Sequence, residues 1–94
     1  MSAKVSAFTA DCSIEEWGVG DPMKLEITII TGGGKLISII KGKKHVDKFL
    51  KKEDGWYLYA TSYGVIKLGK IKNGKFRYEE TIVGDGFSGS CTIR

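Results

Sequence analysis

Apolar and polar residues alternate along much of the chain, and a period of two residues indicates β-strands. Leu25, Ile27 and Ile29 share one face of a segment whose other face is polar, which predicts a half-buried strand. Residues 35–41 are apolar on both faces, as in a strand that is covered on both sides. The three glycines at 32–34 predict the turn that joins these two strands.

Further β-prone runs extend this pattern toward both ends of the chain. Each run is rich in β-branched and aromatic residues, which favour strands. We expect strands at about 5–10, 56–62, 65–72, 75–83 and 88–93.

The period changes between residues 43 and 52, where Val46, Phe49 and Leu50 recur at the spacing of one helical face. Lysines fill much of the remaining arc. The segment therefore predicts a short amphipathic α-helix at about 43–52, with a basic face toward solvent.

Asn73-Gly74 is the clearest turn signal, because a two-residue type I′ hairpin needs positive φ at both central positions. A two-residue loop also fixes the register of the strands that flank it. Counting back from this turn places four cations on one face of the hairpin: Lys70, Lys72, Lys75 and Arg77.

Tyr63-Gly64 predicts the preceding turn in the same way, so that three strands form a meander. In this register Tyr57 and Tyr59 join the cationic face. Ile66 and Leu68 fall on that polar face as well, which is a conflict. Either a β-bulge near Gly69 re-aims them or a neighbouring element covers that end.

These elements predict a mainly β fold with a single domain spanning residues 1–94. The expected architecture is a small antiparallel barrel or sandwich of six or seven strands, rich in meanders, with one short helix after the third strand. The order of strands and helix resembles that of the OB-fold, and additional C-terminal strands depart from it. The resemblance implies binding of single strands or oligosaccharides on a sheet face.

Charge is distributed unevenly along the 94 residues, whose net charge is +4. Residues 35–77 contain 12 Lys and Arg against three acids, a local charge of +9. The flanks contain three basic residues and eight acids, a charge of −5. This asymmetry indicates an anionic partner.

A tyrosine-plus-basic face suits single-stranded nucleic acid or RNA, because lysines neutralise phosphates and aromatic rings stack on bases. The first hypothesis is therefore a non-catalytic module that binds such a polyanion. The candidate binding residues are two tyrosines and ten cations: Tyr57, Tyr59, Lys41, Lys43, Lys44, Lys48, Lys51, Lys52, Lys70, Lys72, Lys75 and Arg77.

Two other classes of function remain open. A protein-binding module, such as an inhibitor or subunit, would use exposed apolar side chains: Phe87, Trp17 and Ile66. A small-ligand-binding β-barrel would line an internal cavity with large side chains: Trp56, Phe76 and Tyr78. At this chain length a filled core is the stronger expectation.

The sequence does not predict an enzyme or a cofactor. His45 is the one histidine, and it falls in a lysine-rich segment. Gly32-Gly33-Gly34-Lys35 lacks the spacing and the hydroxyl residue of a phosphate-binding loop. Two distant cysteines and one histidine do not supply the four ligands of a structural metal site.

Localisation follows from what the sequence lacks. The N-terminus has no apolar signal-peptide core, and no apolar run approaches the ~18 residues of a membrane span. We therefore expect a cytoplasmic protein without membrane association. In a reducing compartment free thiols are the default expectation for Cys12 and Cys91, and a disulfide between them is left open.

Overall fold

The fold is a closed antiparallel β-barrel in which each strand pairs with the next and the last pairs with the first. The computed structural model describes residues 7–17, 24–82 and 85–94. Its strands are β1 (Phe8–Trp17), β2 (Leu25–Gly32), β3 (Lys35–Ile40), β4 (Lys43–Glu53), β5 (Trp56–Ala60), β6 (Gly64–Leu68), β7 (Lys75–Ile82) and β8 (Asp85–Ile93). The prediction of a small antiparallel barrel is confirmed, with eight strands instead of six or seven.

Alternation along each strand decides which side chains fill the barrel. Ile27 and Ile29 are buried inside, as the sequence predicts, and in the register of β2 and β3 they lie opposite Ile40 and Ser38. Gly33 and Gly34 form the turn between these strands. Their φ values of 61° and 76° explain why glycine is needed there.

The barrel closes where β8 lies against β1. Cys12 and Cys91 are directly opposite each other in this register, with Cα atoms 3.9 Å apart, and form a disulfide. The prediction of free thiols is therefore wrong. A sequence separation of 79 residues hides the pairing, since only closure of the sheet makes the first and last strands neighbours.

The predicted helix at 43–52 is wrong, because this segment is strand β4. Asp47 and Phe49 are half-buried and point toward the interior, whereas His45 on the same parity is exposed, as are Val46 and Leu50 at 52% and 53%. A bulge between Phe49 and Lys51 breaks the alternation, and the three apolar residues that suggested one helical face lie on both faces of the strand. Hydrogen bonds to β3 and β5 outweigh the local helical pattern.

The Asn73-Gly74 turn is present, with φ values of 54° and 73° and a bridge between Lys72 and Lys75. Beyond it the register slips by one residue, because the Gly69 backbone N–H donates to the Arg77 carbonyl and Leu68 pairs with Tyr78. Both Leu68 and Ile66 thus turn into the core. The bulge near Gly69, one of the two expected resolutions, is confirmed.

The same slip reverses the predicted faces of β5. Tyr59 pairs with Ile66 and is fully buried, and Tyr57 is half-buried against the core. Trp56 and Leu58 take the opposite parity, and the Lys67 ammonium lies 4.8 Å from the Trp56 ring centroid. The prediction of an outer cationic face is therefore wrong for Tyr59, whereas Tyr57 stays partly exposed beside Lys52.

The OB-like element order is not confirmed. Neighbours in sequence are neighbours in the barrel throughout, which is a meander, whereas the OB-fold is a Greek-key barrel of five strands. The predicted strand at 5–10 lies partly outside the described residues, as does residue 83. Within the described ranges no helix has the length and apolar character needed to cross a membrane.

Candidate functional site

The cations predicted as a single surface are spread over the whole barrel. Lys41 lies in the β3–β4 turn and Lys43 begins β4, whereas Lys52 lies near the other end of the same strand. At about 3.3 Å per residue, Lys43 and Lys52 are roughly 30 Å apart. Lys44, Lys48 and Lys51 are exposed along the strand between them, and Lys51 forms an ion pair with Glu53 at 3.1 Å.

Arg77 does not join these lysines. Its guanidinium donates to a Glu16 carboxylate oxygen at 2.9 Å and to the Ser88 hydroxyl at 3.1 Å. This side chain therefore lies over the seam of β7, β8 and β1, and an acid neutralises it.

Part of the predicted set does converge at the end of the barrel that carries the β4–β5 turn. Lys52, Tyr57 and Lys70 line one open groove there, with the Lys52 ammonium 5.3 Å from the Tyr57 ring centroid. Lys72 and Lys75 are exposed in the adjoining hairpin.

The protein-binding alternative loses one of its residues. Ile66 is buried, and Phe87 is half-buried with its ring stacked on Tyr78 at 6.2 Å. The side chain of Trp17 lies outside the described residues.

The residues that the ligand-binding alternative placed around an internal cavity do not line one. Phe76 and Tyr78 fill the interior, while Trp56 faces outward. A pocket of about 180 Å³ opens instead at the end that carries the β3–β4 and β5–β6 turns. Six polar side chains line this mouth pocket: Ser38, His45, Asp47, Thr61, Ser62 and Glu80.

Alternation of side chains along the strands directs two acidic residues toward the mouth pocket. Asp47 is the sole acidic residue between positions 27 and 52. It points inward from β4, while Lys44 and Lys48 on the same strand are exposed. Glu80 enters from β7, where it lies opposite Ile66. Two half-buried carboxylates thereby line one open pocket, and Asp47 comes from the most basic part of the chain.

Burial governs the protonation of these carboxylates. It raises the pKa of Glu80, although the Tyr78 hydroxyl donates a hydrogen bond of 2.8 Å to the Glu80 carboxylate and lowers that pKa. The nearby charge of Asp47 raises it again. Burial also raises the pKa of Asp47, with His45 acting in the opposite direction. Each carboxylate therefore lacks a cation that fully compensates its charge.

Ser38 adds an unsatisfied hydroxyl to the mouth pocket. The residue is 2% exposed and lines the pocket, yet its Oγ atom has no hydrogen-bond partner among the described residues. A buried polar group without a partner costs about 1–3 kcal/mol. The Oγ atom is closed to solvent in this arrangement, and a rotation toward the pocket would let a ligand or water complete its hydrogen bonding.

Ser38, His45 and Asp47 are the residue types of a nucleophile–base–acid triad. Ser38 and His45 are cross-strand partners, but no hydrogen bond to the Ser38 hydroxyl connects them. That bond is the geometric mark of an activated serine. The pocket therefore offers polar recognition without an activated nucleophile in this arrangement.

Within the described ranges no three His, Cys, Asp or Glu side chains come together as metal ligands. Comparison of the chain with models of known families, with curated proteins and with solved structures finds no significant match. The function is therefore inferred from the fold and from the residues of the mouth pocket.

Sequence reasoning missed the mouth pocket because it read β4 as a helix. With the period of two applied to the segment after Lys43, His45 and Asp47 fall on the same face as Phe49. An acid on the apolar face of a strand is the available signal. Glu80 had no comparable signal, since its approach to Asp47 depends on barrel closure.

We expect neutralisation of these acids to stabilise the unliganded protein. A carboxyl pKa that is raised by folding means that the folded state binds more protons, so stability falls as pH rises from the unfolded pKa through the folded one. Above that window, ionised Asp47 and Glu80 cost stability. Glu80→Gln keeps an oxygen to accept the Tyr78 hydrogen bond, and with Asp47→Asn it should raise the unfolding free energy at pH 7 by about 0.5–1 kcal/mol.

Urea unfolding of wild type and the double variant between pH 4 and pH 7 measures this effect. The gain should shrink toward pH 4, where the wild-type carboxyls take up protons. Asp11 has the opposite pH dependence, because its hydrogen bond with Arg94 lowers the pKa of its carboxyl. That contribution is shared by both proteins and cancels in the difference. A variant less stable than wild type at pH 7 would contradict the prediction.

Proposed function

We propose that the protein is a non-catalytic ligand-binding β-barrel that holds one compact polar molecule in the mouth pocket. The observation that carries this proposal is the buried Ser38 hydroxyl, which has no partner among the described residues and belongs to a residue that lines the pocket. Eight strands enclose an interior just wide enough for side chains or one small ligand. Here the core residues fill most of the barrel, and space remains at one end.

The volume limits the ligand. The pocket measures about 180 Å³, whereas drug-sized ligands occupy roughly 300–1,000 Å³. A cavity of about 150 Å³ holds a benzene molecule. The ligand therefore has the size of one ring with a short substituent. Ile40 and Ile66 contact its apolar part, and the polar side chains fix its orientation.

A fragment titration followed by NMR of backbone amides tests the proposal. Compact fragments that bind should shift amides around Ser38, Asp47 and Glu80 and leave the opposite end unchanged. Ser38→Leu fills the pocket and should abolish the shifts, while Ser90→Leu adds the same side chain at an exposed position of β8 and should not. Shifts that persist in Ser38→Leu would place binding elsewhere and overturn the proposal.

A second candidate function is polyanion binding, most directly to single-stranded nucleic acid. The observation in its favour is the groove that Lys52, Tyr57 and Lys70 line at the other end of the barrel. Two or three phosphate contacts would make affinity fall about tenfold between 50 and 200 mM salt.

Fluorescence anisotropy with a labelled oligonucleotide tests this candidate. Lys52→Glu with Lys70→Glu should abolish binding. Lys44→Glu with Lys48→Glu removes the same charge from the outside of β4 and should weaken binding only modestly. Equal losses in both double variants would show attraction to net charge instead of a site.

The expected cytoplasmic localisation conflicts with the disulfide, because the cytoplasm is reducing and disulfides are rare in reducing compartments. We keep cytoplasmic localisation as a proposal. Thiol alkylation of the protein in freshly lysed cells measures the fraction of Cys12 and Cys91 that is oxidised. A largely oxidised pool would contradict a reducing location.

A further inference from the structure

We infer that the ligand of the mouth pocket is a compact organic cation with an ammonium group next to an apolar arm. The inference rests on the proposed ligand-binding function and specifies its ligand class. Three features of the pocket support it: two inward-facing carboxylates, one unsatisfied hydroxyl and an apolar wall.

The carboxylates define the charge of the ligand. Asp47 and Glu80 both line the pocket, from strands β4 and β7. Ionised carboxylates are acceptors only, and Tyr78 supplies a single donor, to Glu80. An ammonium group brings three donors and a positive charge. A carboxylate ligand would bring neither and would be repelled.

Ser38 completes the polar half of the site. Its hydroxyl both donates and accepts, so after a rotation toward the pocket it would accept the third ammonium proton while the two carboxylates accept the others. The residue lies on β3 beside β4, which carries Asp47. Hydrogen bonds of charged groups are roughly twice as strong as neutral ones.

The apolar half of the site explains why the ligand is organic instead of an inorganic cation. Ile40 and Ile66 line the pocket, and Tyr63, which is 73% exposed, stands at its rim. These side chains offer contact area to a hydrocarbon ring. A hydrated metal ion gains nothing from them.

The positive charge around the pocket opposes the binding of a cation. Residues 35–77 carry a charge of +9, which repels cations from the outer surface. His45 lines the pocket as well and favours the ionised forms of Asp47 and Glu80. A cation that binds must therefore be recognised inside the mouth, at short range.

Three ring compounds of matched size test the inference: benzylammonium chloride, benzyl alcohol and sodium benzoate. Titrations at pH 7 are followed by NMR of backbone amides. Benzylammonium should bind about tenfold more tightly than benzyl alcohol, which corresponds to about 1.4 kcal/mol, because charged hydrogen bonds to the carboxylates replace neutral ones. Benzoate should bind least.

Neighbouring glutamates on β7 provide matched variants. Glu80→Gln should reduce benzylammonium affinity about tenfold and leave benzyl alcohol within about twofold, because it removes charge and keeps an acceptor. Glu79→Gln makes the same change one residue away, where the side chain faces outward opposite Lys67, and should change neither affinity. Amide dispersion in the free variants confirms folding.

The outcomes separate the inference from the proposed function. Absence of shifts around the pocket with all three compounds would end the proposed function. Binding of benzyl alcohol or benzoate as tightly as benzylammonium would leave that function standing and overturn the inference. Equal losses in Glu79→Gln and Glu80→Gln would also overturn it, since overall charge would then account for the preference.

Discussion

Replacement of the Cys12–Cys91 disulfide by two alanines should lower the unfolding free energy by about 4.5 kcal/mol. The bond spans 79 residues, and a crosslink across a loop of this length removes that much chain entropy from the unfolded state at 25 °C. A domain of this size has roughly 5–14 kcal/mol of stability in total. The melting temperature should fall by roughly 20 °C or more.

Reduction of the wild-type protein is the control for this prediction, because it breaks the bond and keeps both sulfur atoms in the core. Urea unfolding of wild type with and without dithiothreitol should show most of the loss, and the Cys12→Ala/Cys91→Ala variant should not respond to reductant. Unchanged stability on complete reduction would show that pairing of β1 with β8 needs no covalent support.

Gly89→Ala should cost about 3 kcal/mol or more and lower the melting temperature by roughly 12 °C. Gly89 lies on β8 opposite Ile14, next to the bulge that shifts the register after Ile14. A Cβ atom there would press on the Ser13 carbonyl oxygen and lie 2.8 Å from the Ile14 Cα atom. Both are backbone atoms, so the strand itself must move.

Ser90→Ala is the matched control, because the neighbouring residue is exposed and the change should stay within about 0.5 kcal/mol. Thermal unfolding followed by circular dichroism compares the two variants with wild type. A Gly89→Ala protein as stable as Ser90→Ala would mean that β1 yields at the bulge without loss of closure.

The parts of the fold that the sequence predicts are those with local causes. Leu25, Ile27 and Ile29 give an uninterrupted period of two, and the following glycines permit a tight turn with positive φ. The Asn73-Gly74 turn also carries its own conformational preference. Each of these features is decided within about ten residues of chain.

The errors arise where one residue changes parity. The bulge at Gly69 moves Tyr57 and Tyr59 from the outside to the inside, although the turn from which the register was counted is right. In β4 a second bulge after Phe49 interrupts the period of two. A bulge is set by the fit of neighbouring strands, which a single sequence does not state.

The convergence of Asp47 and Glu80 on the mouth pocket was beyond sequence reasoning for a different reason. Asp47 and Glu80 line one pocket because β4 and β7 belong to one small closed barrel, although β5 and β6 separate them along the sheet. No spacing between the two residues encodes that approach. Their recognition required the order and the closure of all the strands.

The pairing of β1 with β8 also sets the order of events in folding. The other seven pairs join strands that are consecutive in sequence, so each forms by short-range diffusion of a hairpin. The last pair must bring together segments at opposite ends of the chain, and contacts of such long range slow folding. We therefore expect the rate-limiting step to be the pairing of β1 with β8, after the intervening strands have formed a curved sheet.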